Sequence, residues 1–327
     1  MPGLVTIYGG SGFVGRYVTQ RMAHAGWRVR VAVRRPNEAL FVRTYGVVGQ
    51  VEPVFCNIRD DASVRAAMAG ADAVVNCVGI LAEHGRNRFE AVHHHGAARI
   101  ARFAAEGGVG RLVHLSALGA DPASESAYLR SKAAGEQAVQ EACPEATIMR
   151  PSVIFGPEDR FFNKFARMAL FSPVLFIVGG ETRFQPVHVD DVARAIEAAL
   201  CGPLAAGRYE LGGPDTCSLR ALVRLMLGVI ERRRLVVDLP FRVGGLGAAV
   251  LDALQAATLG LFRNGVLTRD QLRTLRHDMT VAPGAPGLAE LGVEPVALES
   301  VLPEYLWPYR PAGQFAAIRR SLKKLGA

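Results

Sequence analysis

Tyr128 and Lys132 stand four residues apart in the run SAYLRSKAAGEQAV at 126–139, a spacing that puts both on one face of a helix. A lysine cation beside a tyrosine lowers the phenol pKa, and its ammonium can hold a ribose. The phenol can then exchange a proton with a hydroxyl or carbonyl. Such a pair is common by chance, so its meaning depends on what precedes it. What precedes it is IYGGSGFVGR at 7–16. Gly9 permits a tight turn, Gly12 lets the backbone approach a pyrophosphate, and Gly15 allows close packing of helix on strand. Ser11, Phe13 and Val14 complete the cradle, and the helix start supplies amide donors for phosphates.

Nineteen residues past Gly15, the second strand ends in Arg34 and Arg35, where an NAD-selective site would offer an acid to the ribose hydroxyls. Guanidinium groups there suit a 2′-phosphate, which makes NADP(H), and so NADPH, the expected cofactor. Asn57, ending the third strand, with Ile58 beside it, is expected to border the adenine.

His93, His94 and His95 raise the question of a metal. Adjacent helical histidines point in different directions, and no carboxylate or cysteine is expected at helical spacing to complete a site. The reading is a helix flank or packing role, with no metal. His188 is expected to have a structural hydrogen-bonding role. Five cysteines, widely spaced and without a CxxC pair, signal neither a disulfide framework nor zinc and fit a reducing compartment.

The elements that must position these residues alternate. Strands are expected at 4–8, 28–33, 54–56, 73–78, 111–115 and 146–149. Helices are expected from residue 13, at 62–68, from about 91 to 106 and from about 126 to 142. Near-continuous apolar strands between helices predict an α/β fold, a Rossmann doubly wound parallel sheet covered on both faces. After Arg150 the rhythm changes. The expected division is a dinucleotide-binding domain over 1–155, to which 185–215 returns, and a smaller C-terminal α+β lobe built from 156–184 and 216–327 for partner or substrate contacts.

The 327 residues are half hydrophobic and 21% charged, so a compact chain is expected rather than a disordered one. The net charge of +8 is spread out, with short clusters at 232–234 and at Arg319, Arg320, Lys323 and Lys324. No aromatic residues interleave them, which speaks against nucleic acid. The segment 243–262 is long enough to consider as a membrane span, but Asp252, Gln255 and four glycines make it a poor one. A core or interface helix, or a surface against a membrane or partner, is expected instead. A strand beginning at about residue 4 leaves no room for a presequence, and a cytoplasmic protein or a mature chain is the corresponding expectation.

Taken together, these motifs resemble the extended short-chain dehydrogenase/reductase superfamily over about the first 215 residues. GGSGFVG is similar to its phosphate loop, and NCVG at 76–79, with Val78 and Gly79, to the loop after its fourth strand. YLRSK is similar to its YxxxK element. RPSVIFGP at 150–157, with Pro151 and Ile154, is similar to the segment under the nicotinamide, and QPVHVDDVA at 185–193 to a later signature. Active members place a serine or threonine just past the first serine after the fifth strand. Here HLSALGAD puts Ser116 first and Ala117 and Leu118 after it, so the polarising hydroxyl is missing unless Ser116 supplies it.

A narrower resemblance runs through the tail. RPSVIFGPEDRFFNKFARM, QPVHVDDVARAI, LTRDQLRTLRHDM and PGLAELGVEP, in this order after SAYLRSKAAGEQAV, resemble the NADPH-binding accessory-subunit family of respiratory complex I, the alpha subcomplex subunit 9 type. That resemblance implies NADPH held on Gly9, Gly12, Phe13, Gly15, Arg34, Tyr128 and Lys132 without known turnover. It also implies complex I peripheral-arm subunits as partners near the quinone site and the membrane surface. The location would be peripheral, on the cytoplasmic side of a bacterial inner membrane or the matrix side in mitochondria. The alternative is an active NADPH-dependent reductase or epimerase using Tyr128, Lys132 and Ser116.

Overall fold

A computed structural model describes residues 3–203, 206–258 and 267–315. The first strand, β1 (Leu4–Tyr8), is buried along its whole length and so must lie in the middle of a covered sheet. It leads into α1 (Phe13–His24), and then come β2 (Arg28–Val33), β3 (Val51–Phe55), α2 (Asp61–Met68) and β4 (Ala73–Asn76). A π-helical turn at Glu90–His94 opens α3 (His95–Glu106), followed by β5 (Arg111–Leu115), α4 (Ala127–Ala142) and β6 (Thr147–Pro151). Beyond these lie β7 (Ile154–Phe155), α5 (Phe162–Phe171), β8 (Val174–Val178), β9 (Arg183–Phe184), β10 (Val187–His188) and α6 (Val189–Cys201). The chain continues with β11 (Gly207–Leu211), β12 (Cys217–Ser218), α7 (Leu219–Val229), β13 (Leu235–Leu239), α8 (Phe241–Ala257), α9 (Arg269–Thr274) and α10 (Leu298–Leu306).

Seven parallel strands form the main sheet in the order β11-β6-β5-β4-β1-β2-β3. The order reverses between β1 and β4, and a crevice at that switch point is where doubly wound sheets take ligands. On one face of the sheet, α1 and α6 close over Val5, Ile7, Val18, Met22, Val192 and Ile196. On the other, α3 and α4 pack with Val74, Ile100, Phe103 and Val139. A separate cluster around Phe155, Phe162, Leu175, Leu222, Met226 and Leu302 joins α5, β8, α7 and α10.

Several boundaries differ from the sequence expectation, for local reasons. The third strand is 51–55 rather than 54–56, because an edge strand paired on one side tolerates Glu52 and Pro53. The fourth strand stops at Asn76, whose side-chain oxygen accepts the Val78 amide and turns the chain early. The sixth runs to Pro151, in register with Leu211 of β11. Asp60 caps α2 and Ser126 caps α4. Of the 243–262 segment, the described part is the helix α8, and no helix among the described residues is long and apolar enough to cross a membrane. Residues 259–262 and the basic tail at 319–327 lie outside the described residues.

Candidate functional site

The expected site residues gather at the carboxyl ends of the parallel strands. Gly9 to Gly15 follow β1, Arg34 and Arg35 follow β2, and Asn57 and Ile58 follow β3. Val78 and Gly79 follow β4, and Ser116 follows β5. Tyr128 and Lys132 come from the first half of α4, Pro151 ends β6, and Ile154 lies in β7, paired with Val187.

The glycines have specific geometry. Gly9 has φ 78°, a left-handed turn that Gly tolerates without strain, and its amide donates to Ala32 O at 2.9 Å. A Cβ on Gly15 would sit 2.2 Å from Gly9 O and 2.7 Å from Gly10 Cα, so helix and turn touch backbone to backbone. At Gly12 a Cβ would meet only Gly9 O at 3.1 Å, and Gly12 caps α1 without a side-chain bond, which leaves the amide end of the helix uncovered by its own side chains. This is a cradle that side chains would fill, and it fits a pyrophosphate.

Arg34 and Arg35 are both exposed. Arg35 is paired with Glu38 at 2.9 Å, while Arg34 reaches the neutral amide oxygen of Asn87 at 3.3 Å. Arg34 thus keeps its charge available and Arg35 is partly neutralised. The Asn57 side-chain oxygen accepts from Arg59 Nε at 3.3 Å, which adds a third guanidinium at the end of β3. The sequence reading passed over Arg59; its only signal is the short run NIRDD.

Lys132 is 4% exposed, and its ammonium donates to Leu115 O at 3.0 Å. A Cβ at Gly79 would be 3.5 Å from that nitrogen, so the loop after β4 lies directly against it. Burial pulls Lys132 down to about 8 and pushes the Tyr128 phenol up to about 12. The expectation that Lys132 lowers the Tyr128 pKa is corrected: burial alone sets the phenol's shift, and the Lys132 ammonium is turned to Leu115 O. At neutral pH Tyr128 is a phenol that can donate, and Lys132 is mostly an ammonium.

Ser116 is 5% exposed, and its Oγ is a buried polar atom without a hydrogen-bond partner. An atom in that condition is costly unless a ligand or water satisfies it. β5 ends at Leu115, as expected, so Ser116 is the first residue past the strand and Ala117 and Leu118 follow it. Leu118 is buried among Leu129 and Phe155.

The three histidines separate as their backbone dictates. His93 points inward, stacked on Phe89 at 5.5 Å and edge-on to Tyr128 at 5.4 Å. Its Nε2 accepts the Ile80 amide at 3.0 Å and its Nδ1 lies 2.9 Å from Ser131 Oγ, whose own hydrogen goes to Tyr128 O. Both ring nitrogens are satisfied only by the neutral ring with the hydrogen on Nδ1. Burial holds its pKa down at about 2. The statement that no carboxylate stands at helical spacing is corrected: Glu90 is four residues before His94 and hydrogen-bonds it, with His95 Nε2 3.7 Å away. The rings of His94 and His95 are stacked 27° from parallel, and their ligand atoms and that of Glu90 lie within 4.8 Å of one another. His188 packs at a tilt on Phe155, 5.3 Å between rings.

Sequence reading also missed Asp270, whose carboxylate binds the first turn of α4 from a segment 142 residues further on. Nothing in the spacing of Asp270 announces this contact, because it is purely tertiary.

With the geometry in place, comparison with known proteins gives four matches. The model of the NAD dependent epimerase/dehydratase family matches residues 5–212. The chain is 38% identical to NADH dehydrogenase (ubiquinone) 1 alpha subcomplex subunit 9, mitochondrial, of Arabidopsis thaliana, covering 95% of this chain and 79% of that protein. It is 31% identical to the NADH-ubiquinone oxidoreductase 40 kDa subunit, mitochondrial, of Neurospora crassa, over 93% of this chain and 79% of that one. Among solved structures it superposes on UDP-glucose 4-epimerase of Thermotoga maritima with a TM-score of 0.70 at 18% identity, covering 98% of this chain and 99% of that one.

Proposed function

The chain belongs to the NAD dependent epimerase/dehydratase family and groups within it with the alpha subcomplex subunit 9 proteins, and from that premise we propose that it is an NADPH-holding accessory subunit of respiratory complex I. The observation that carries this reading is similarity along nearly the whole chain, including the part beyond the family model. The absence of hydroxyls at Ala117 and Leu118 supports a nucleotide that is held rather than consumed.

In this reading the Gly9–Gly12–Gly15 turn holds the pyrophosphate and Arg34, with Arg59 near it, meets the 2′-phosphate. Asn57 and Ile58 border the adenine. Tyr128 and Lys132 bind the nicotinamide ribose, and Val78, Gly79, Pro151 and Ile154 line the nicotinamide end. A bound nicotinamide could supply a hydride, but a subunit of this kind uses it to hold its own strand ends together. Ligand at a hundred times its Kd adds about 2.7 kcal/mol to stability. The exposed face of α8, with Val243, Leu246 and Val250 on the surface, is offered to neighbouring peripheral-arm subunits beside the membrane, on the side where NADH is oxidised.

Native electrophoresis of gently solubilised membranes tests the reading. Co-migration with the NADH-oxidising band, and NADPH released from the purified chain on denaturation, are expected. Migration as a free monomer together with recovery of the chain empty of nucleotide would overturn it.

One observation favours a second reading, an NADPH-dependent reductase or epimerase. The partnerless Ser116 Oγ follows β5 directly, next to Leu115, whose carbonyl holds Lys132, and could orient a substrate carbonyl for protonation by Tyr128. Under that reading Tyr128→Phe abolishes NADPH consumption and the physiological phenotype together; retention of the phenotype removes it.

A further inference from the structure

We propose that Asp270 is a positioning residue for the nucleotide site: from the segment after α8 it fixes the helical turn that presents Tyr128 and, one turn later, Lys132. This rests on the nucleotide reading above. Asp270 Oδ1 accepts from the Ala127 amide at 2.7 Å, and Oδ2 accepts from the Tyr128 amide at 3.1 Å and from Ser126 Oγ at 2.8 Å. Ser126 Oγ in turn accepts from the Leu129 amide at 3.3 Å.

A helix leaves its first amides without internal partners. In α4 these are taken by one serine and by one carboxylate from more than a hundred residues away. The negative charge also sits at the favourable end of the helix dipole. Because the amide bound at 3.1 Å is that of Tyr128 itself, the placement of its ring depends on Asp270 as well as on α4.

The clamp has further members. Thr274 Oγ1 lies 3.2 Å from Ser126 Oγ, and Arg276 pairs with Glu125 at 3.2 Å. Helix α9 is itself held by a reciprocal cap between Thr268 and Gln271, and the Arg269 amide donates to Asp252 of α8 at 3.1 Å. A continuous set of contacts therefore runs from the exposed helix α8 through α9 to Tyr128.

The test uses the full chain, titrated with NADPH and followed by amide hydrogen exchange at Ala127 and Tyr128. Asp270→Ala is expected to weaken NADPH binding by about tenfold and to speed exchange at both amides. Asp270→Asn, which keeps one acceptor oxygen, is expected to fall between it and the parent, and also serves if Asp270→Ala fails to fold. Thr268→Ala loosens α9 without removing the carboxylate and is expected to change affinity less than about twofold. A folded Asp270 variant that binds NADPH like the parent, or a Thr268→Ala variant that loses as much, overturns this proposal alone. A parent chain that binds no NADPH overturns it together with the nucleotide reading.

Discussion

Gly15 has no room for a side chain, because a Cβ there would stand 2.2 Å from the Gly9 carbonyl and 2.7 Å from Gly10 Cα. Backbone cannot yield as a flexible side chain can. Gly15→Ala is therefore expected to destabilise the fold by about 1–3 kcal/mol and to weaken NADPH binding at least tenfold. Calorimetric titration beside thermal melting reads both, and an unchanged affinity would remove the turn from the binding site. The buried histidines give a second expectation at this scale. Burial holds His93 at about 2 and His114 at about 3, against 6.5 for free imidazole. Below pH 6.5 the unfolded chain takes up protons that the native one refuses, so stability is complete above 6.5 and falls as pH drops toward 3. Between about pH 7 and about pH 5.5 the two together remove on the order of 2 kcal/mol. Urea unfolding at the two pH values measures this, and His114→Gln should remove about half of the slope. Equal stability at both values would show that these rings are not held neutral.

Helix α4 carries the site, and its interior is anchored by charge as its start is by Asp270. Glu136 is 1% exposed and meets Arg150 of β6 with two hydrogen bonds, at 2.9 and 2.6 Å, with Arg208 of β11 3.5 Å away. Removing Glu136 takes away both hydrogen bonds of Arg150 and leaves it only the Glu210 carboxylate, 3.7 Å away. Glu136→Ala is expected to cost about 3–5 kcal/mol, and Glu136→Met combined with Arg150→Met to recover most of it. Equilibrium unfolding of both variants decides this: if the double variant is as unstable as the single one, packing rather than charge is what Glu136 supplies. Local sequence does explain other features of this layer. Ser126 is a helix cap by residue type, and Asn76 ends β4 by bonding two residues ahead.

For the molecule as a whole, the outstanding surface feature is α8. Val243, Leu246 and Val250, 53%, 71% and 60% exposed, recur at helical spacing, while Ala248 on the same helix is buried against Val178 and Leu272. One face is used by the fold and another is not. If α8 meets peripheral-arm subunits, Leu246→Asp with Val250→Asp should abolish co-migration with the NADH-oxidising complex. The melting temperature and NADPH affinity of the isolated chain should stay within error. A double variant that still assembles would move the docking surface elsewhere.

The alternation of apolar strands with helical patterns determined the parallel sheet, because strands buried on both faces must be largely apolar, as β1 (LVTIY) is. The glycine spacing determined the turn, since Gly9 takes a positive φ and Gly15 answers to the backbone of Gly9 and Gly10, within a dozen residues of chain. The order of the tail motifs carried the family, in agreement with the 38% identity that runs through it. Tertiary structure decided the rest, for reasons that spacing cannot encode. Burial rather than Lys132 sets the Tyr128 phenol, because desolvation depends on what surrounds a group in space. The π turn sends His93 inward to Ile80 and Ser131 while His94 and His95 stay with Glu90, a division that three identical letters conceal. Asp270 reaches the Tyr128 helix only because the chain returns to it 142 residues later, and a contact of that range leaves no local trace.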